Sequence, residues 1–257
     1  MVWLRVLLCV FLTSPLVAFA NDLPDLIARI KPSIVGVGVA YPPRQPIFRG
    51  DRARYMGTGF VVQDGLTVVT NAHVLPAGVD APSRELIAVF VGQGKNATAR
   101  PAQVLAEDKD LDLAVLRFEG PPLPALSLGD SGKVREGDSV AFTGYPLGEA
   151  MGLTPVTHRG IVSAITPMVP PASRAGELTA LHVSRARKGL MAFQLDATAY
   201  PGNSGSPVYN DLGEVIGVLN SVVVKETREN LLTQPSGISY AIPSRHIVTL
   251  LAGLSVP

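Results

Sequence analysis

Short apolar runs rich in β-branched residues recur along the chain after residue 20, separated by glycine and proline. In chain order they are SIVGVGVA, TGFVV, TVVTNAHV, LIAVFVG, LDLAVLRF, SVAFTGY, RGIVSAI, EVIGVLNSVVV and GISYAI. Runs of this length and spacing predict an all-β fold, either a sandwich or a barrel. Apolar positions recur every three or four residues only near the ends, in LPDLIARI and SRHIVTLLAGL. We therefore predict short helices there and strands elsewhere.

The predicted strands form two groups, separated by the proline- and glycine-rich stretch EGPPLPALSLGDSG at residues 119–132. This stretch is the best candidate for a domain boundary, and we place the boundary between residues 125 and 126. Two other segments, 41–55 and 167–190, are predicted to be long loops. Loops of this length are uncommon and are frequently functional, with disorder as the ordinary alternative.

The first twenty residues have a different character. Arg5 is followed by the apolar run VLLCVFLTSPLVAFA, which ends in the small-x-small sequence Ala18-Phe19-Ala20. This order of charge, apolar centre and small residues is typical of a secretory signal, and the run is short for a membrane span, which needs about 20 apolar residues. We predict a signal peptide over 1–20, cleavage near Ala20, and a periplasmic or secreted mature chain with no stable membrane anchor. A retained anchor is the alternative.

Composition limits the chemistry of the mature chain. The only cysteine, Cys9, lies within the predicted signal, so disulfide, zinc-knuckle and thiol chemistry are not expected. The chain has 22 basic and 21 acidic residues, and removal of Arg5 leaves 21 of each. This neutral balance argues against nucleic-acid binding.

The stretch YPGNSGSP, residues 200–207, allows two interpretations. Glycine, proline, asparagine and serine dominate turns for conformational reasons, so a plain turn is one. The other is that Ser204 is a nucleophile. The hydrolase pattern G-x-S-x-G does not apply, because Ser206 stands where its second glycine would be. A serine nucleophile needs a base and a carboxylate that orients the base, so partners must come from elsewhere in the chain.

Few residues qualify as partners. The four histidines are His73, His158, His182 and His246. His73 closes the predicted strand VVTNAHV, where a lone histidine would more commonly be structural. Candidate carboxylates are Asp108, Asp110 and Asp112 in DKDLDLAVL. Asp112 begins an apolar run and so can lie at the mouth of a core, whereas the other two are interpreted as solvated loop charges.

Several motifs together resemble one family. GTGFVV, VVTNAHV, DLDLAVL, LGDSGKVREGDSVAFTGYPLG, RGIVSAI, GNSGSP, GEVIGV and SYAIP occur in the order found in HtrA/Deg serine proteases, and the resemblance covers roughly residues 24–251. It implies the chymotrypsin-like fold of two antiparallel Greek-key β-barrels, with a cleft between them. The barrel of residues 21–125 would carry His73 and Asp112, and that of 126–257 would carry Ser204.

The resemblance also implies roles for these residues. His73, Asp112 and Ser204 would form the catalytic triad, and the backbone N–H groups of Gly202 and Ser204 would form the oxyanion hole. No metal and no organic cofactor is implied.

The function so implied is a serine endopeptidase that cleaves unfolded or loosely folded polypeptides, in protein quality control. The alternative is a catalytically silent pseudoprotease or holdase that binds unfolded chains in the same cleft. Family members frequently form trimers through N-terminal segments, which makes 41–55 a candidate contact, with a solvated loop as the other possibility.

The chain departs from the family pattern in three ways. Ser206 occupies a position that is usually glycine, so a side chain must fit beside the active turn, and Ser206 becomes a remote rival nucleophile. The segment 167–190 is longer than its usual counterpart, where the family often senses activating ligands. Only 14 residues follow Pro243, so we expect no peptide-binding PDZ module within this chain.

The sequence IVGV at 34–37 imitates the N-terminus that trypsin-like zymogens expose on cleavage. Lys31-Pro32-Ser33 is a poor tryptic site, and Asn203 lacks the carboxylate with which such an N-terminus would pair. We therefore predict that SIVGVGVA is a strand of the first barrel and that activity needs no internal processing.

Specificity in this fold depends largely on a pocket whose base lies six residues before the nucleophile, which is Thr198 here. An arginine or lysine substrate side chain would need a carboxylate at that position, and Asp196 is two residues away. We therefore predict cleavage after small or medium aliphatic residues such as valine, alanine or isoleucine.

Overall fold

A computed structural model of the chain describes residues 22–40, 53–76, 86–148, 152–168, 184–185, 187–220 and 237–254. The predicted signal peptide, His182 and most of the two predicted loops lie outside these ranges. Among the described residues, no helix has the length and apolar character needed to cross a membrane.

The first barrel contains six antiparallel strands in the closed order β1-β2-β3-β6-β5-β4. Their bounds are β1 Ile34–Ala40, β2 Ala53–Val62, β3 Thr67–Thr70, β4 Leu86–Val91, β5 Thr98–Asp108 and β6 Leu113–Phe118. Because β4 pairs with β1, the first four strands have the spatial order of a Greek key. The prediction that SIVGVGVA forms a strand of this barrel is confirmed over β1.

The second barrel repeats this arrangement in the closed order β10-β11-β12-β9-β8-β7. Its strands are β7 Ser139–Gly144, β8 Val156–Pro167, β9 Met191–Asp196, β10 Pro207–Tyr209, β11 Val215–Asn220 and β12 Ile238–Pro243. The predicted architecture of two antiparallel barrels is therefore confirmed. So are the two terminal helices, α1 over Leu23–Ile30 and α2 over Ser244–Leu254.

Three strands were missed by the sequence pattern, namely β5, β9 and β10. Strand β5 is mostly exposed and contains Pro101, so it lacks a run of buried apolar residues. Strand β9 has only six residues, with a glutamine near its middle. Strand β10 is three residues long and follows the turn around Ser204 directly. In each case, pairing with neighbouring strands compensates for a weak local pattern.

Three groups of buried apolar side chains stabilise the architecture. One fills the first barrel around Val37 and Leu116, and one fills the second around Phe142 and Leu195. The third lies between the barrels and includes Phe60, with helix residues among its members. Each fully buried side chain of this size contributes about 1.5–3 kcal/mol relative to exposure. The third group fixes one barrel against the other.

The connector between the barrels is ordered by hydrogen bonds to both. The Leu126 N–H donates to the Val61 carbonyl of the first barrel over 2.8 Å. The Gly129 N–H donates to the Val215 carbonyl of the second barrel, also over 2.8 Å. The boundary that we place between 125 and 126 falls in this crossing segment and stays a prediction.

The terminal helices lie across the two barrels. Helix α1 precedes the first barrel, yet its Leu26 packs on the second, where a Cβ added to Gly213 would lie 2.8 Å from Leu26 Cδ1. Helix α2 follows the second barrel and contacts β5 and β6 of the first. Both helices therefore strengthen the inter-barrel packing.

Candidate active site

Strand β3 leads directly to His73. The strand ends at Thr70, the buried Asn71 follows, and a short 3-10 turn over Ala72–Val74 carries the histidine. The Asn71 side-chain amide donates to the Asp112 carbonyl over 2.9 Å, and the Ala72 N–H donates to the same oxygen over 3.2 Å. These bonds tie the histidine turn to the start of β6.

Asp112 has a left-handed backbone, with φ of 57°. Aspartate adopts this region more readily than most residues, and here the carboxylate faces His73. Its Oδ2 lies 2.7 Å from the His73 Nδ1, and its Oδ1 accepts the His73 backbone N–H over 2.9 Å. Because a carboxylate can only accept, Nδ1 is the ring nitrogen that donates to Asp112.

A residue from the second barrel also binds this carboxylate. The Asn220 side-chain amide, at the end of β11, donates to Asp112 Oδ2 over 2.7 Å. Asp112 is only 8% exposed, and its two oxygens accept three hydrogen bonds. The orientation of the carboxylate therefore depends on both barrels.

Neither of the neighbouring aspartates reaches His73. Asp108 accepts the Leu111 N–H over 2.9 Å, as a local turn residue. Asp110 forms an ion pair with Lys188 and accepts the Ser184 hydroxyl over 3.0 Å. The hydrogen bond from Lys188 lowers the pKa of Asp110. Asp110 is therefore a partly exposed loop charge, and it is also paired, with Lys188 and Ser184.

Ser204 lies in the turn that joins β9 to β10 and is 4% exposed. Its carbonyl accepts the Thr58 N–H of β2 over 2.8 Å. A Cβ added to Gly57 would lie 2.7 Å from Val74 Cγ2 and 3.1 Å from the Ser204 carbonyl oxygen. Glycine at position 57 therefore lets the Ser204 turn approach the residue next to His73. The structure therefore places the Ser204 turn close to Val74, the residue after His73, which contacts Asp112.

The backbone before Ser204 has a defined orientation. Gly202 has φ of 96°, and the Pro201 carbonyl accepts the Leu147 N–H over 2.7 Å. Because C=O and N–H point in opposite directions across a trans peptide, the Gly202 N–H is directed away from Leu147. Among the described residues this N–H has no acceptor.

Ser206 is fully buried behind this turn. Its Oγ lies against Gly144 of β7, where an added Cβ would approach it to 2.0 Å. A substrate cannot reach a hydroxyl in this position, so the structure argues against Ser206 as a rival nucleophile. The glycine at 144 provides the room that the serine at 206 needs.

Thr198 is half-buried in the same turn, whereas Asp196, at the end of β9, is exposed. The role of Thr198 at a pocket base stays a prediction. The remaining described histidines show no catalytic arrangement. His158 stacks on Phe142 with ring centroids 4.9 Å apart, and burial lowers its pKa. His246 lies in α2, and burial also lowers its pKa.

Comparisons with known proteins agree with the two-barrel fold. The family model for the trypsin-like peptidase domain matches residues 57–218. The chain belongs to the trypsin-like peptidase family. It is 34% identical over 242 residues to serine protease HTRA3 of Rattus norvegicus, covering 94% of this chain and 46% of that protein. It is 31% identical over 224 residues to a probable periplasmic serine endoprotease DegP-like of Halomonas elongata, and the match covers 87% of this chain and 40% of that protein.

A solved HtrA-type protease, AlgW with tripeptide, is similar in fold, with a TM-score of 0.63 at 24% identity. The alignment covers 90% of this chain and 62% of that one. The chain spans less than half the length of the two curated relatives above. The resemblance to HtrA/Deg proteases drawn from the sequence motifs is confirmed.

Sequence reasoning did not identify two residues that hydrogen-bond to the predicted ones: Asn220 binds Asp112, and Thr58 binds Ser204. Asn220 is 108 positions from Asp112, and Thr58 is 146 positions from Ser204. Neither has a local signal, because asparagine at a strand end and threonine within a strand are ordinary. Within the described ranges, no three His, Cys, Asp or Glu side chains converge as a metal site would require.

Proposed function

We propose that this chain is a serine endopeptidase in which Ser204, His73 and Asp112 form the catalytic triad. The contact between the Asp112 carboxylate and the His73 Nδ1, at 2.7 Å, carries this proposal. His73 Nε2 takes the Ser204 hydroxyl proton as Oγ attacks the peptide carbonyl, then returns that proton to the leaving amine. Water repeats the sequence on the acyl-enzyme and releases the second product. Asp112 holds the ring and stabilises its charged form.

The N–H groups of Gly202 and Ser204 are the proposed oxyanion hole. The orientation of the Pro201 carbonyl supports this role, because it directs the Gly202 N–H to the opposite side of the peptide. Each such donor typically stabilises the transition state by about 3 kcal/mol. The binding-only alternative has less support, because a pseudoprotease has no need for an oriented His73–Asp112 pair.

We further propose that the substrates are unfolded or loosely folded polypeptides in the periplasm or outside the cell. The support is the signal-like pattern of residues 1–20, together with relatives described as periplasmic serine endoproteases. Quality control of such proteins is the proposed role. Assembly into a trimer through 41–55 is also proposed, and light scattering of the mature protein tests it.

A fluorophosphonate probe tests the nucleophile directly, because it reacts only with an activated serine. We expect the wild-type protein to be labelled and Ser204→Ala not to be labelled. Ser206→Ala is a matched control, since it removes a second hydroxyl two residues away that is fully buried. It should be labelled like the wild type. Equal labelling of wild type and Ser204→Ala would contradict the assignment.

The specificity prediction concerns Thr198. Without a carboxylate at the pocket base, cleavage after valine, alanine or isoleucine should dominate, with modest discrimination of about 1–3 kcal/mol per methylene. Peptide-library profiling and cleavage of denatured casein measure this preference. Thr198→Asp should gain cleavage after arginine and lysine. Predominant cleavage after these residues by the wild type would contradict the prediction, and Asp196→Asn would then identify the acid responsible.

A further inference from the structure

Thr58 of β2 makes several contacts with the turn that carries Ser204. Its N–H donates to the Ser204 carbonyl over 2.8 Å, and its Oγ1 donates to the Gly202 carbonyl over 2.7 Å. Its carbonyl oxygen packs so closely on Gly205 that a Cβ added to that glycine would lie 2.0 Å from the oxygen. One fully buried residue of the first barrel therefore contacts three residues of the turn on the second barrel.

Tyr55, three residues earlier in the same strand, reaches the same point. Its hydroxyl lies 3.0 Å from the Gly202 carbonyl oxygen and 3.0 Å from Thr58 Oγ1. The Tyr145 backbone N–H donates to Thr58 Oγ1 over 3.0 Å, which leaves the threonine proton for Gly202. A carbonyl oxygen has two lone pairs, so the two hydroxyls together satisfy the Gly202 oxygen.

These bonds fix the peptide between Gly202 and Asn203 at both ends. The two hydroxyls hold its carbonyl, while the Asn203 N–H donates to the Tyr200 carbonyl over 3.0 Å. The preceding peptide is held by the bond between Leu147 N–H and the Pro201 carbonyl. Glycine at 202 would otherwise let these peptide planes rotate easily. Their orientation decides whether the Gly202 N–H faces a substrate.

The residue beside the nucleophile provides no comparable anchor. Asn203 is fully buried, and both polar atoms of its amide lack partners within the described part of the chain. Asn203 also carries no charge with which an N-terminal amine could pair. The hydrogen bonds that order the turn among the described residues therefore involve its backbone, with partners in both barrels.

We propose that Thr58 and Tyr55 are positioning residues that hold the oxyanion turn in its donor orientation from across the inter-barrel interface. The inference rests on the proposed function, since the turn that these hydroxyls hold carries the N–H groups of the proposed oxyanion hole. It explains how the turn is ordered without an ion pair, and hence without internal cleavage. Burial raises the pKa of Tyr55 well above its ordinary value, so its hydroxyl stays protonated and able to donate.

Four variants test the positioning role through kcat and KM on one peptide substrate. Thr58→Val should lower kcat about 100-fold with KM nearly unchanged, because a turn displaced by about 1 Å costs that much. Tyr55→Phe removes the weaker donor and should cost about 10-fold. Thr58→Ser keeps the hydroxyl and should restore most of the rate. Tyr209→Phe is the matched control, since its buried hydroxyl bonds Thr143 at 2.8 Å, away from the turn.

A transition-state analogue distinguishes positioning from general damage. A peptide aldehyde forms a tetrahedral adduct whose oxygen occupies the oxyanion hole, so its affinity should fall by the same factor as kcat/KM in Thr58→Val and Tyr55→Phe. Tyr209→Phe should bind it like the wild type. Losses that appear only in KM, or that match the Tyr209→Phe variant, would overturn the proposal.

Hydrogen–deuterium exchange provides a readout independent of activity. Peptides spanning 198–206 should exchange faster in Thr58→Val and Tyr55→Phe than in the wild type, while peptides from β11 should not change. If Thr58→Val does not fold, Tyr55→Phe and Thr58→Ser still decide the matter. If the probe does not label the wild type but exchange still rises in the variants, the proposed function is rejected and the positioning role of Thr58 and Tyr55 is kept. If the probe labels the wild type but the variants show unchanged exchange and rates, only the positioning role is rejected.

Discussion

Asp112→Asn is expected to lower kcat about 10⁴-fold while the barrels remain folded. The two Asp112 oxygens accept from the His73 ring, the His73 N–H and Asn220. A carboxamide offers only one acceptor oxygen, and its NH₂ would face a donor. The His73 ring would then lose the partner that keeps its proton on Nδ1. Steady-state kinetics and a thermal melt of the same sample measure both expectations.

Asp108→Asn is the matched control for this prediction. Asp108 accepts one backbone N–H, from Leu111, and an amide oxygen can replace that acceptor. Its kcat should stay close to the wild-type value. Asp110→Asn should also leave kcat close to the wild-type value but weaken the attachment of residues 184–188, because it removes the ion pair with Lys188. If the largest loss of kcat occurred at Asp110, the catalytic aspartate would have to be reassigned by two residues.

The second large effect is expected at Gly144. An added Cβ would lie 2.0 Å from Ser206 Oγ and 2.9 Å from Thr58 Oγ1. Overpacking of this kind costs about 1–3 kcal/mol of unfolding free energy. Ser206 belongs to the Ser204 turn, and Thr58 hydrogen-bonds to that turn. Gly144→Ala should therefore displace the turn and also lower kcat about 100-fold. Urea denaturation and steady-state kinetics measure the two losses.

A second substitution tests whether Ser206 causes the clash. Ser206→Gly removes the nearest atom, so Gly144→Ala/Ser206→Gly should recover about half or more of the lost free energy, as expected for residues in contact. Ser206→Gly alone should remain active, because its hydroxyl is fully buried and has no partner within the described residues. A double variant as unstable as Gly144→Ala would show that the backbone or Thr58, and not Ser206, limits the space.

The residues that carry the proposed chemistry were identified from the sequence because the motifs that contain them occur in the order found in HtrA/Deg proteases, whereas each local pattern alone left a plain turn or a structural histidine as the alternative. His73 closes a strand-forming run, Asp112 opens another, and Ser204 lies in a glycine-rich turn. Strands with buried apolar runs were predicted from their local patterns. Strand β10 was not, since a three-residue strand gives no periodicity and forms only because β7 and β11 pair with it.

Local sequence therefore determined most of the strands and both terminal helices, and the order of its motifs supplied the candidates for nucleophile, base and carboxylate. Only the tertiary structure decided that Asn220 binds Asp112, that Asp110 binds Lys188, and that Thr58 holds the Ser204 turn. These contacts join residues of different barrels or distant loops. Their formation depends on the packing that brings two closed barrels together, and no periodicity or short motif encodes that relative placement.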